Sequence, residues 1–385
     1  MKTRPFVVAL CLLFSLPAAA QLTSEFYIEK TNFAPGEPVF LYHKITNHQN
    51  SPQTIAPDDP QQPECSGVRV RVSADKSCRF PSCSIDGGPP PTVTLAAGQS
   101  TTGRYLLNYD HEINAPGDYW VEAEFLDNRS AQNNTPIRLS FRVDAGLPHW
   151  PAAQYQPWLD QLSSTVFEQR LEGARTLASL APQSLETVLL GFKDRRSEIR
   201  VYAPLALYRL NTPTSMDALA DLLKSYDSFT REDAAHYLAE SGDQKWYPLL
   251  LDAAQKHLGG TLNSSVYLVA AAQLGGEKML PVLGTWLKDK DHRSVQGDII
   301  LGIEATHSRN AIPLLLDLVD TSDHRTSDFA QHNLERLTHR SAFQSRQFRN
   351  RKAESRKWHQ WWASEGPTAP IYEDLCFGEK PVPLP

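Results

Sequence analysis

The sequence predicts a multidomain protein, an N-terminal antiparallel β-sandwich followed by an all-α solenoid. Three observations carry this. From about Phe26 to Val143 apolar residues recur with a period of two, from about Val166 the period becomes helical, and a single unit then repeats along the helical region as far as about Leu337. The expected divisions are a signal peptide over 1–20, a sandwich over 22–144, a linker over 145–158 and a solenoid over 159–340. A basic, Trp-rich capping helix over 341–365 and an extended Pro-rich tail over 366–385 close the chain.

Lys2 and Arg4, the apolar run Phe6 to Leu16, and Pro17-Ala18-Ala19-Ala20 before Gln21 have the order of a secretory signal. The expectation is cleavage near Ala20 and a periplasmic or secreted mature protein. The run is too short to span a bilayer as a stable helix, and no other stretch is long and apolar enough, so no transmembrane segment is expected. Leu10 precedes Cys11 where a lipoprotein signal needs a small residue, which argues against lipidation. A length of 385 residues suits two domains, and a net charge of -6 argues against polyanions, nucleic acid included, as the partner.

Without the signal the chain keeps Cys65, Cys78, Cys83 and Cys376, an even number that suits disulfides in an oxidising compartment. Three of the four lie in the N-terminal region, so any fully paired scheme joins one of them to Cys376. One local bridge with Cys376 and another thiol free is the alternative. No Cys-x-x-Cys and no His at ligand spacing beside Cys78 or Cys83 supports zinc.

The strands follow in order. Val39, Leu41, His43 and Ile45 alternate with Phe40, Tyr42 and Lys44, and Val68, Val70 and Val72 with Arg69 and Arg71. Tyr119, Val121, Ala123 and Phe125 alternate with Trp120, Glu122 and Glu124, and Ile137, Leu139, Phe141 and Val143 with Arg138, Ser140 and Arg142. Turn chemistry falls between them at Pro35-Gly36, Ala97-Gly98 and Pro116-Gly117. The pattern Pro35-Gly36-Glu37-Pro38-Val39 leading to Thr46-Asn47, with Pro116-Gly117-Asp118-Tyr119 later, resembles the immunoglobulin-like accessory domains of exported bacterial proteins.

Asp144 to Pro157, with Gly146, Pro148, Pro151 and Pro157, reads as a linker. Beyond it Pro248, Pro281 and Pro313 stand in equivalent apolar contexts at steps of 33 and 32, with Asp217 and Glu186 at the corresponding places upstream. Proline and acidic residues both suit a first helical turn. Asn211, Gly242 and Gly275 precede these marks by six residues and fit left-handed helix ends. One such helix pair exposes a stripe of Leu and Ala that its neighbours must cover, so the units stack.

Leu274-Gly275-Gly276-Glu277-Lys278-Met279-Leu280-Pro281, followed by Lys288-Asp289 and Ser294-Val295, resembles the short HEAT-like repeat, and Lys193-Asp194 with Glu198-Ile199-Arg200 repeats its second half. Leu334-Glu335-Arg336-Leu337-Thr338 with Trp358, Trp361 and Trp362 resembles the closing unit of bacterial HEAT-like proteins. The resemblance implies a protein-binding scaffold and no cofactor. Some short HEAT-like proteins resemble bilin lyases, which leaves an accessory lyase as an alternative, although those act on cytoplasmic partners.

Candidate chemistry is sparse. No Gly-x-Ser-x-Gly, His-Glu-x-x-His or phosphate-cradling loop occurs, and no catalytic or metal-binding residue is expected. His236, His257 and His332 read as solvated or core helical residues; Asp58, Asp59, Asp110 and Asp118 form no calcium ladder. Arg346, Arg349, Arg351, Lys352, Arg356 and Lys357, interleaved with Phe348 and Trp358, are candidate contacts for an anionic partner or the solvated side of a cap. A glycan site on the sandwich would use Trp120 and Tyr42. Asn128, Asn133 and Asn263 head formal glycosylation sequons.

Overall fold

The computed structural model describes residues 22–55, 68–73, 92–111, 113–125, 136–258, 264–321, 323–340 and 351–372. The chain divides into two compact units whose boundary falls between Leu147 and Pro148. The four candidate disulfide cysteines, the signal region, Asp58, Asp59 and the sequons at Asn128, Asn133 and Asn263 lie outside the described residues.

The N-terminal unit is β-rich. Strands β1 (Leu22–Ile28), β3 (Phe40–Asn47) and β7 (Ser100–Leu106) form one antiparallel sheet in the order β1-β3-β7. The second sheet, β2-β9-β8-β5, is built from β2 (Asn32–Phe33), β9 (Ile137–Val143), β8 (Gly117–Phe125) and β5 (Val68–Val72). A short pair, β4 (Gln53–Ile55) with β6 (Val93–Leu95), is the third. One core cluster takes residues from all three sheets, Leu41 and Ile45 from the first, Val68, Val121 and Phe141 from the second, Ile55 and Leu95 from the third. The period-two reading holds residue by residue along β3, where Leu41, His43 and Ile45 are buried between partly exposed neighbours. It fails at Ile137, which begins β9 and is exposed. The pairing of β2 with β9 is parallel, a two-residue exception to the antiparallel expectation.

Two buried polar side chains hold this core's rim. Asn47 donates through Nδ2 to the carbonyls of Ser51 (2.9 Å), Leu95 (3.0 Å) and Ala96 (3.1 Å) and accepts from the Gln49 N–H. Asn108, in the single turn α1 (Leu107–Asp110), accepts from the Val39 N–H at 2.7 Å. Buried amides need such partners, since an orphaned one costs about 1–3 kcal/mol.

The C-terminal unit is helical. A 3-10 turn (Ala152–Tyr155) and α2 (Gln156–Gln161) open it, with Pro157 in the first turn and Tyr155 buried. Some of the expected linker 145–158 is therefore structured, because a proline that ends one helix can begin another. Among the described residues six helix pairs follow. They are α3 (Phe167–Leu180) with α4 (Glu186–Leu190), and α5 (Ser197–Arg200) and α6 (Ala203–Leu210) with α7 (Pro213–Asp221). Next come α8 (Ser228–Glu240) with α9 (Tyr247–His257), and α10 (Ser264–Gly275) with α11 (Leu280–Lys288). The last are α12 (Gln296–Ala305) with α13 (Ala311–Val319), and α14 (His324–Thr338) with α15 (Arg351–Ser364).

Each pair turns on one residue with positive φ: Ala181, Asn211, Gly242, Gly276, His307 and His339, at φ between 39° and 69°. Two sequence expectations are corrected here. Gly275 is helical at φ −77° and Gly276 carries the left-handed turn at +52°. Gly275 is small for another reason, since a Cβ there would lie 2.3 Å from Cε2 of Tyr247. Asp217 does not begin a helix: α7 starts at Pro213, where Thr212 and Ser215 form a reciprocal capping box. Pro248, Pro281 and Pro313 do stand in first turns, and Leu250, Leu283 and Leu315 two residues on are each 0% exposed.

Hydrogen bonds tie consecutive pairs on the side of the left-handed turns. Thr212 donates to Glu186 at 2.8 Å, Gln244 to the Leu274 carbonyl at 2.6 Å, and Ser308 to Glu277 at 2.7 Å. The first residues of the expected tail also pack rather than extend. Arg309 donates to the carbonyls of Gly366 and Pro367 (3.1 Å each) and of Ala369, the Tyr372 N–H reaches the Leu337 carbonyl at 2.8 Å, and Ile371 is buried.

Candidate interaction surfaces

Of the six basic candidates, Arg346 and Arg349 lie outside the described residues, and Arg351 opens α15 without a described side chain. Lys352, Arg356 and Lys357 are exposed on α15. The other side of that helix buries Trp358 and Trp361, whose rings meet edge to face at 5.6 Å, and Arg340 lies over the Trp361 ring at 5.2 Å. Ser355 and His359 (2.9 Å) both bind Asp320 at the end of α13. The helix thus packs beside α13 with its aromatic side buried and turns its cations outward, which is what an amphipathic segment closing a stack of helices does.

Trp120 and Tyr42 are not brought together. Trp120 lies on β8 with the Arg138 guanidinium 4.1 Å above its ring, while Tyr42 lies on β3, in the other large sheet. Tyr42 instead stacks on Tyr27 at 5.1 Å, and burial followed by a hydrogen bond from its hydroxyl to Glu29 raises its pKa.

The histidines lie apart. His257 stacks on Tyr267 at 4.5 Å, and burial, then Arg231 and Lys256, lower its pKa. His236 is near Glu240 at 3.8 Å and His332 is exposed. Asp118 pairs with Arg142 at 3.4 Å and Asp110 is exposed. Among the described residues no three His, Cys, Asp or Glu side chains are grouped to hold a metal ion, and no helix is long and apolar enough to cross a membrane.

The most exposed large apolar side chains of the helical unit lie at one edge, where first helices begin. Tyr226 is 100% exposed, Phe229 64%, Phe167 50%, and Val166 beside it 45%. Between the two groups, at the start of α5, Arg195 and Arg196 are exposed. Sequence periodicity does not flag these residues, because an isolated aromatic reads as core until its exposure is known.

A HEAT-repeat family model matches residues 184–266, the stretch from just before α4 to the start of α10. No curated protein matches. Among solved structures, an engineered protein with 22% identity covers 47% of this chain and 95% of its own, at a TM-score of 0.29. A second engineered protein, 21% identical, covers 48% of this chain and 58% of its own, also at 0.29. The native-conformation structure of E. coli alpha-2-macroglobulin is 15% identical over 92% of this chain and 27% of that one, at 0.20. Likeness at these scores carries no functional argument. The HEAT-repeat match thus falls within a helical C-terminal region of six pairs among the described residues, which follows a β-rich region in the chain, and HEAT repeats generally mediate protein–protein interaction.

Proposed function

We propose that this is an exported, non-enzymatic bacterial scaffold whose helical array binds a protein partner outside the cytoplasm. The β-rich unit would be an immunoglobulin-like sandwich serving as a docking module. The observation that carries this reading is the array itself: six helix pairs among the described residues, tied by side-chain hydrogen bonds between units, that hold exposed aromatic residues at the starts of first helices. Helical repeats are rigid by virtue of neighbour packing and present long surfaces at low conformational cost. Export would place Cys65, Cys78, Cys83 and Cys376 in an oxidising compartment, as the Lys2-to-Ala20 pattern suggests. The glycan alternative is less favoured, because its two aromatic residues, Trp120 and Tyr42, lie in different sheets.

The test uses the full mature chain as bait in the native extracytoplasmic fraction, followed by hydrogen exchange of the purified chain with the recovered protein. Protection of amides within 167–338 supports the scaffold reading. Protection confined to 22–143, or turnover of a small molecule by the chain alone, overturns it.

A further inference from the structure

The edge of the array at its first three helix pairs has a built quality that exposed residues seldom show. Arg170 in α3 donates through Nη1 to the Ser164 carbonyl at 2.8 Å, and Arg231 in α8 donates likewise to Ser225 at 2.7 Å and Tyr226 at 2.9 Å. The two arginines stand 61 residues apart, two units on, and each reaches six residues back. The same device braces both loops. Arg170 further pairs with Glu198 of the next unit at 2.7 Å, and Arg231 meets the Tyr267 hydroxyl of the next at 3.3 Å. Brace and neighbour together fix the helix starts at which Val166, Phe167, Tyr226 and Phe229 stand, Phe167 and Phe229 in the first turns of α3 and α8 and Val166 and Tyr226 just before them. Rigid aromatic side chains lose little entropy on contact and are the usual anchors of protein interfaces.

The charge between these anchors narrows the partner. The loop before α5 carries Lys193, Arg195 and Arg196 against Asp194 alone, and both arginines are exposed. Arginine is the cation best suited to hold carboxylates in two-pronged fashion. Resting on the scaffold reading, we propose that this edge binds an acidic protein segment with apolar residues at each end of its carboxylates. The flanks would seat on Phe167 and on Tyr226 with Phe229, and the carboxylates on Arg195 and Arg196. Neighbouring helices pack with axes about 8–10 Å apart, so two steps set the anchors about 16–20 Å from each other. An extended segment covers that with about five or six residues.

The probe is a phage-displayed library of random dodecapeptides selected on the full chain. The expected result is enrichment of peptides with Asp or Glu runs flanked by Leu, Phe or Trp, and at least a tenfold loss of binding to the chain carrying Tyr226→Ser with Phe229→Ser. The chain carrying Arg195→Glu with Arg196→Glu should instead select Lys- and Arg-rich peptides with the same flanks, a gain that misfolding cannot produce. No enrichment, peptides without acidic excess, or selected peptides that bind both variants as well as the original chain would each overturn the proposal. If a natural partner protects 167–338 yet binds both variants unchanged, this edge is excluded while the scaffold reading stands.

Discussion

Replacing Gly275 by Ala isolates the reason for the glycine. A helix interior gains up to about 1 kcal/mol when Ala replaces Gly, and φ of −77° puts no strain on a side chain, so propensity alone forecasts a more stable protein. The structure forecasts the opposite. The added Cβ would sit 2.3, 2.9 and 3.0 Å from Cε2, Cδ2 and Cζ of Tyr247, where contact distances are about 3.5–4.0 Å. The ring must withdraw by about an ångström or more, loosening the contact of its hydroxyl with the Met279 sulfur at 3.7 Å. Overpacking of this kind costs about 1–3 kcal/mol, which leaves a net loss of up to about 2 kcal/mol after the propensity gain. In a helical unit of this size each kcal/mol moves Tm by about 2–4 °C, so calorimetry should record a fall of up to about 8 °C. Gly276→Ala provides the contrast, since its Cβ would meet nothing within 4 Å and its cost comes from φ of +52° alone. In a Tyr247→Leu background the Gly275 penalty should shrink by about 1 kcal/mol while the Gly276 penalty stays. A Gly275→Ala protein that melts higher, or a penalty indifferent to Tyr247, would refute the steric account.

Leu250→Ala, Leu283→Ala and Leu315→Ala should each cost about 2–5 kcal/mol in denaturant unfolding, since all three are fully buried at equivalent places; values within about 0.5 kcal/mol of zero at two of them would break the assigned register. Glu198 has its carboxyl pKa lowered by its own backbone N–H and by Arg170. Its stabilisation is therefore present above the ordinary glutamate value of about 4.3 and is lost as pH falls through the lower folded value. Melting curves of the natural chain and of Glu198→Gln should differ at pH 7 and converge in acid; a gap that widens in acid contradicts this. Non-reducing peptide mapping should find Cys376 joined to Cys65, Cys78 or Cys83 if all four are oxidised, whereas full alkylation of Cys376 in the unreduced protein excludes the bridge.

Much of the fold was legible because burial is periodic. Alternation located β3 and β8, and the Pro-x-Leu marks located three second helices with their buried leucines. What escaped the sequence has physical causes. Ala181, His307 and His339 hold left-handed turns that neighbouring packing imposes, and nothing in an alanine or histidine announces a positive φ. Asp217 misled because Pro213, nearer Asn211, took the helix start. Pro151 and Pro157 read as breakers although Pro157 lies in the first turn of α2. The edge of Phe167, Arg195, Arg196, Tyr226 and Phe229 was illegible because its residues come from the starts of three first helices, far apart along the chain, and only the stacking of those helices sets them on one side. The sequence instead drew attention to the basic stretch of Arg346 to Lys357, where charge is dense along the chain.

The six left-handed turns have a bearing on descent. Residues as different as alanine, asparagine, glycine and histidine occupy them at steps of 30, 31, 34, 31 and 32. Copies of a duplicated unit can therefore drift at the turn, and gain or lose a residue or two there, while the packed leucines hold each copy in place. Kinship among the units of this chain, and between it and other arrays, would then persist longest in backbone angle and in the spacing of leucines, after the letters at the turns have ceased to agree.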